Sequence, residues 1–308
     1  MRKEEFFIPS NDGITKLHCI AWIPDEEPRA VLQITHGMVE YIGRYDAFAS
    51  FMAEHDIAVI GHDHLGHGQS VTGEEKLGYF CHEQGGSVVI EDIYAVTKEA
   101  AARWPGKKIF LLGHSMGSFM VRRYLALHSA EISGAVIMGT GWIPAPLAGI
   151  GLAMSRLTMF FRGEFFRSRL LTSLALGSNN KPFEPARTPN DWLSRNTENV
   201  DRYQADPLCG YMFTAAAYRD FFTVLKLVAA EDGYDSISPE LPILIVSGGE
   251  DPVGGKTACP KVLEGYKKRG FLDVTMKLYP EDRHEILNEL DRENVYGDIL
   301  RWMEERIK

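Results

Sequence analysis

"KIFLLGHSMGSFMVRRYLALH", residues 108–128, is the stretch on which the fold turns. Lys108 to Gly113 form a short apolar run of the kind a strand makes when both faces of a parallel sheet are covered. From Ser115 to His128 the pattern is helical. The chain must pass from strand to helix within Gly113–Gly117, which spells G-x-S-x-G. A side chain at Gly113 or Gly117 would meet neighbouring backbone in so tight a turn. The turn would hold Ser115 at the top of the sheet, at a helix N-terminus and near free backbone N–H groups. A plain Ser N-cap shares part of this pattern; strand, elbow and helix together favour a nucleophile.

Outward from the elbow the same alternation repeats. "AVLQIT" (30–35), "IAVIG" (57–61), "GAVIMG" (134–139) and "PILIVSG" (242–248) read as further buried parallel strands, and "VTMKLYP" (274–280) as a last one. Helical spacing is expected around 44–55, over 87–104 through Ile90, Ile93, Val96, Ala100 and Trp104, and near 293–307. Pro105 and Gly106 stop the second of these. Strand–helix alternation with right-handed crossovers gives an α/β fold with a mostly parallel, doubly wound sheet. Between Gly139 and Pro242 no clear strand signal occurs. The expected organisation is therefore a core over 1–140 and 239–308, with a helical cap inserted at 141–238.

The bulk numbers exclude several classes. With 308 residues, a net charge of −9 and a pI near 5.6, the chain lacks the basic field that grips nucleic acid. Cys19, Cys81, Cys209 and Cys259 are scattered and form no C-x-x-C, which reads as reduced thiols in a cytoplasmic protein. "MRKEEFFIPSNDG" has no apolar h-region, so it is not read as a signal peptide. The most apolar region, 143–161, contains two prolines and Arg156 and falls short of a membrane span.

A serine hydroxyl needs a base, and the base an orienting acid. In the order expected after this kind of elbow, the acid comes next and the histidine last. Asp251, with Glu250 as rival, follows the strand 242–248. His284 follows the last strand and is the single histidine beyond residue 128. Backbone N–H donors for an oxyanion are expected from Met116, next to the nucleophile, and from Met38, in the "ITHGMVE" loop where Gly37 lets the backbone approach. A separate loop, "GHDHLGHGQS" (61–70), holds His62, Asp63, His64 and His67. The H-x-H-x-D-H pattern of zinc hydrolases wants an aspartate where Gly66 stands, so no metal and no cofactor are expected.

"HGMVEYIGRY" (36–45), "GHDHLGHGQS", "LLGHSMG" (111–117) and "LSRNTENVDRYQADPLC" (193–209) together resemble the monoacylglycerol lipases and lysophospholipases of the α/β-hydrolase superfamily. The resemblance spans core and cap. It implies the α/β-hydrolase fold, hydrolysis of an acyl ester, and a Ser115–Asp251–His284 triad with Met38 and Met116 as oxyanion donors. It further implies that Glu40, Arg44, His114 and Tyr203, beside Gly37, surround a glycerol head group. Two positions depart from the pattern: Tyr41 stands where those lipases usually have histidine, and Leu287 where the animal lipase has another. "HEILNE" (284–289) is closer to bacterial lysophospholipase-type members. The expected partner is a small lipid ester, with room for transient membrane contact through the cap and for a homodimer. A lysophospholipase, general carboxylesterase, thioesterase or peptidase is the alternative on the same scaffold, and a catalytically silent binding module a remote one.

Overall fold

In the computed structural model, residues 1–307 are described. They build an eight-stranded sheet flanked by helices. The strands are β1 (Arg2–Pro9), β2 (Lys16–Ile23), β3 (Ala30–Thr35), β4 (Ile57–His62), β5 (Lys108–His114), β6 (Gly134–Met138), β7 (Ile243–Gly248) and β8 (Val274–Tyr279). Their order across the sheet is β1-β2-β4-β3-β5-β6-β7-β8. β3 to β8 are parallel, and β1 and β2 pair antiparallel at one edge. The six strands read from sequence are present, each within a residue or so of its expected ends. β1 and β2 were not anticipated: "RKEEFFIP" opens on four charged residues and is partly buried only at alternate positions, as an edge strand is, and "KLHCIAWI" carries Lys16 and His18 among its first three residues.

The helices are α1 (Asp46–Glu54), α2 (Gly85–Arg103), α3 (Met116–His128), α4 (Ala145–Arg162), α5 (Arg169–Leu176), α6 (Thr197–Ala205), α7 (Ala215–Ala229), α8 (Gly255–Lys268) and α9 (Arg292–Ile307). Two apolar layers cover the sheet. One joins α2, α3, α7 and α8 through residues such as Ile93, Tyr124, Phe221 and Val262; the other joins α1 and α9 through Phe48, Met52, Tyr296 and Ile299. β3, β4 and β7 are buried at every residue, which is why they read as unbroken apolar runs. Among the described residues no strand lies between Met138 and Ile243; α4 to α7 fill that interval. Nor is any helix there long and apolar enough to cross a membrane.

Register sets where chemistry can occur. Thr35 pairs with Gly113, His114 with Met138, and Gly248 with Tyr279, so the carboxyl ends of the parallel strands meet along one edge. Ligands of open α/β sheets bind outside that edge. The "GHDHLGHGQS" loop leaves β4 at the same edge but turns inward. His62, Asp63, His64 and His67 are all fully buried. Asp63 is a hub: its carboxylate accepts from His18 Nδ1 (2.9 Å) and from the N–H groups of Ile42 (2.8 Å) and Gln69 (2.8 Å). Gly66 and Gly68 have φ of +72° and +48°, and a Cβ on them would lie 2.3 Å from the Tyr79 carbonyl and 2.2 Å from the Asp63 carboxylate. The imidazoles bond to one another and to backbone: the His64 N–H donates to His36 Nε2 (3.0 Å), and His36 Nδ1 donates to the Gly37 carbonyl (2.7 Å). Among the described residues no group of three or more metal-binding side chains is arranged to hold an ion.

Burial pushes His62 and His67 down to about 3. They are neutral in the fold while the unfolded chain takes up protons below about 6.5. Each therefore contributes stability that is complete above 6.5 and is lost as pH falls toward 3, at about 1.4 kcal/mol per pH unit. Denaturant midpoints between pH 6 and pH 4.5 check this: His67→Asn should lower stability at pH 7, yet its further loss on acidification should be shallower than wild type by about that slope.

Candidate active site

Ser115 sits at the junction of β5 and α3 with φ 52° and ψ −118°. A non-glycine residue there costs about 1–3 kcal/mol and persists only where its surroundings impose it. Here they do. The Ser115 N–H donates to the Met138 carbonyl at the end of β6 (2.9 Å). Both the N–H and the hydroxyl of Ser118 donate to the Ser115 carbonyl (2.9 and 2.6 Å). The helix start is pressed against β3: a Cβ on Gly117 would lie 2.2 Å from the Thr35 carbonyl, and one on Gly113 2.4 Å from the Gly117 carbonyl. Met116 is the first residue of α3, so its N–H has no acceptor within the helix. A Cβ on Gly37 would be 3.2 Å from the Ser115 Cβ, which puts the loop carrying Met38 directly beside the serine.

His284 and Asp251 meet across 33 residues of sequence, Nδ1 to Oδ1 at 2.9 Å, with both side chains buried. Asp251 also accepts from the Ser247 hydroxyl (2.8 Å) and the Val253 N–H (2.8 Å). Burial alone would raise its carboxyl; the His284 charge and hydrogen bond, with those two donors, outweigh it and hold Asp251 below the usual carboxylate range. The other ring nitrogen of His284, Nε2, is buried without a partner. Glu250 is exposed and pairs with Lys256 (2.5 Å), away from the histidine.

The remaining expected residues form one buried network. The Gly37 N–H donates to Glu40 Oε1 (2.7 Å), and Glu40 Oε2 accepts from Arg44 Nη1 (2.7 Å). Arg44 also grips Glu285 through both terminal nitrogens, each at 2.7 Å. His114 Nδ1 lies 3.2 Å from Glu40 Oε1. Tyr203, on α6, stacks under the Arg44 guanidinium, 5.0 Å from ring centroid to Cζ, and its hydroxyl donates to the Val39 carbonyl (3.3 Å). Tyr41 instead turns to Asp206, its hydroxyl donating to the carboxylate at 2.8 Å. Leu287 is buried in the layer below α9 and meets none of these groups.

Three residues that sequence reasoning passed over belong here. Glu285 completes the Arg44 pair and accepts from Asn199 Nδ2 (2.7 Å). Trp192 places its ring 4.8 Å from that of His284, and its carbonyl accepts the His284 N–H (3.4 Å), while the Leu193 carbonyl accepts the Glu285 N–H (2.7 Å). Arg195 bonds Glu281 (2.9 Å), Asp282 (2.5 Å) and Asp291 (2.9 Å), fastening the segment before α6 to the loop that carries His284. Glu285 and Arg195 lay inside quoted motifs, but their partners are 241 and about 90 residues away. No local pattern announces such pairs.

Ser115, His284, Glu40, His114, Tyr203 and Trp192 line a cavity of about 30 Å³. It shares Met38, Val39, Leu176, Trp192 and Tyr203 with a crevice of about 320 Å³ beneath α5, whose walls include Met212 and Tyr218. A separate hollow of about 370 Å³ beside Thr15 and Lys76 contains none of these residues.

A mostly parallel sheet of this order, with a serine elbow after β5 and a histidine–aspartate pair after its last strands, is the α/β-hydrolase architecture. The chain belongs to the family described as Serine aminopeptidase, S33, which matches residues 26–291. It is 29% identical over 294 residues to the monoglyceride lipase of Homo sapiens, covering 94% of this chain and 87% of that one. It is also 29% identical over 291 residues to the monoacylglycerol lipase of Mycolicibacterium smegmatis, covering 92% and 90%. A thermostable carboxyl esterase from Bacillus coagulans, solved with glycerol, superposes over the whole of both chains with a TM-score of 0.92 at 25% identity. The protein is a carboxylic ester hydrolase of the serine type.

The elbow has a mechanical signature. Gly117→Ala sets a methyl group against backbone carbonyls of β3 and should cost about 1–3 kcal/mol, read as a lowered denaturant midpoint. Gly149→Ala, in α4 with open space around its Cα, should stabilise by about 0.5–1 kcal/mol.

Proposed function

We propose that the protein hydrolyses monoacyl esters, monoacylglycerol first among them, through an acyl-enzyme on Ser115. The observation that carries this reading is the buried His284–Asp251 pair: His284 lines the same narrow cavity as Ser115, and its Nε2 has no partner. In it Asp251 fixes the tautomer in which His284 Nδ1 carries the proton. Nε2 is then free to take the Ser115 proton as the hydroxyl attacks the ester carbonyl, and to return it to the departing alcohol. The N–H groups of Met116 and Met38 stabilise the oxyanion that forms beside Ser115. Water, activated by the same nitrogen, then releases the fatty acid.

The crevice under α5 suits the acyl chain, being walled by Met38, Leu176, Trp192 and Met212. The small cavity around Gly37, Glu40, His114 and Tyr203, with Arg44 behind Glu40, suits the alcohol end. Its lining holds neither lysine nor arginine, and Arg44 and His114 are already committed to Glu40 and Glu285, which leaves no free cation there, among the described residues, for a phosphate. A neutral polyol is favoured there over a phosphate, which argues for a glycerol ester over a lysophospholipid. Residues 141–238 serve in this reading as the cap over the site. The outer face of α4 and α5 exposes Ile150, Leu157, Phe160, Phe161 and Leu170, and residues 141–180 contain four arginines against a single carboxylate. Such a surface on a chain of net charge −9 fits transient contact with the anionic lipid surface from which a monoacyl ester would be drawn.

Two measurements test the reading. Ser115→Ala should abolish both turnover and labelling by a fluorophosphonate. Asp251→Asn should lower kcat by about 10³–10⁴, since the amide favours the wrong tautomer, and Glu250→Gln should change it less than about twofold. Exchange of the last two results would reassign the acid. For head-group choice, kcat/KM for a monoacylglycerol should exceed that for the lysophosphatidylcholine of the same acid by roughly tenfold or more, about 1.4 kcal/mol.

A further inference from the structure

Four ionisable side chains are packed together behind Ser115. Glu40, Arg44, His114 and Glu285 are each 10% exposed or less. Arg44 bridges the two carboxylates, one cation between two anions. The ring of His114 faces an acceptor on each side: Nδ1 is 3.2 Å from Glu40 Oε1, and Nε2 is 3.2 Å from the backbone carbonyl of His284. A neutral imidazole has one N–H and can serve only one of them. The third neighbour, the Tyr45 hydroxyl, is 2.9 Å from Glu40 Oε1 and 3.1 Å from His114 Nδ1. Its single proton goes to the charged oxygen at the shorter distance, which turns a lone pair toward Nδ1.

We propose that His114 is an imidazolium at neutral pH, and that it is a positioning residue that closes a buried quartet of two cations and two anions and locks the His284 loop to the Gly37 loop. Its Nε2–H holds the carbonyl of His284. Its Nδ1–H holds the Glu40 oxygen that also accepts the Gly37 N–H at 2.7 Å. One ring therefore spans the backbone of the base and the loop that offers Met38. Burial by itself would lower His114, but the hydrogen bond and charge of Glu40, with Glu285 and the His284 carbonyl, raise it above the ordinary imidazole value. The other groups facing it are the ring of His284, 4.7 Å between centroids and backed by Asp251, and His36, which burial keeps neutral. The sign follows: the cation's contribution is complete below about 6.5 and is lost as pH rises through the raised value. The kinetic consequence rests on Ser115 and His284 acting as proposed above; the protonation state does not.

The deciding experiment is ring ¹H–¹⁵N spectroscopy of the full-length enzyme labelled with ¹⁵N-histidine, from pH 6 to 9, beside kcat/KM over the same range. At pH 7.5 one histidine should show both ring nitrogens in the protonated form, and His114→Gln should delete that signal. The signal should persist in Tyr45→Phe and titrate to the neutral form on alkalinisation, together with an alkaline limb in kcat/KM. His114→Gln should lack that limb and lose on the order of 10- to 100-fold at pH 7, the scale of a lost positioning contact. If His114→Gln does not fold, Glu40→Gln identifies the same signal, because loss of the carboxylate moves its titration to lower pH. A neutral His114 throughout pH 6–9, donating from Nε2 and accepting from Tyr45, overturns the proposal. So does an alkaline limb that His114→Gln leaves in place. An enzyme inactive on every ester tried would remove the triad reading while the spectra still decided the state of His114.

Discussion

The first turn of α3 runs so close to the end of β3 that only hydrogen fits at residue 117, where a methyl carbon would stand 2.2 Å from the Thr35 carbonyl. That closeness is the constraint from which the site follows. It drives Ser115 into a backbone conformation it would not otherwise hold, with its carbonyl turned to Ser118 and its N–H to Met138. It also brings the chain leaving β3 against the serine, so that Gly37 and Ser115 sit side by side. Ser115 and the Gly37 loop are thus placed by one contact between the first turn of α3 and the end of β3.

A second layer of order is electrostatic and crosses the whole length of the chain. Arg44, just after the Gly37 loop, holds Glu40 four residues before it and Glu285 near the C-terminus. The loops after β3 and β8 are thereby referenced to one planar cation, whose forked geometry suits two carboxylates. Removing a single member would leave a buried charge without its counterpart, which costs far more than the net worth of an ion pair.

How much of this was legible depended on the range of the interaction concerned. β3 to β7 were readable because strands covered on both faces are almost continuously apolar, β8 because Val274, Met276 and Leu278 alternate with more polar residues, and Ser115 because the glycines at 113 and 117 record backbone crowding in the sequence itself. β1 was missed for the opposite reason, since this edge strand opens on four charged residues, and β2 because Lys16 and His18 interrupt the start of its apolar run. The order of Asp251 and His284 along the chain was readable once the elbow was placed, and the structure brings the two together at 2.9 Å. The engagement of Glu285, Trp192 and Arg195 was not, because each acts through partners far away in sequence. The histidine-rich loop after β4 shows the converse hazard. Its residue types raise the question of a metal, which the glycine at 66 already answers against, and its glycines encode a tight inward turn that buries the imidazoles.

The grip of residues 192–199 on the His284 loop bears on modularity. Long helical segments between two strands of a sheet are natural candidates for exchange between relatives when a new specificity is wanted. Here the segment between β6 and β7 lends backbone acceptors from Trp192 and Leu193 to His284 and Glu285, a guanidinium from Arg195 to three carboxylates, and an amide from Asn199 to Glu285. A transplanted segment lacking these residues would leave the core folded and the histidine unmoored. The seam for any chimera therefore runs before Asp191 and after α6, so that this stretch travels with the sheet although it lies between β6 and β7.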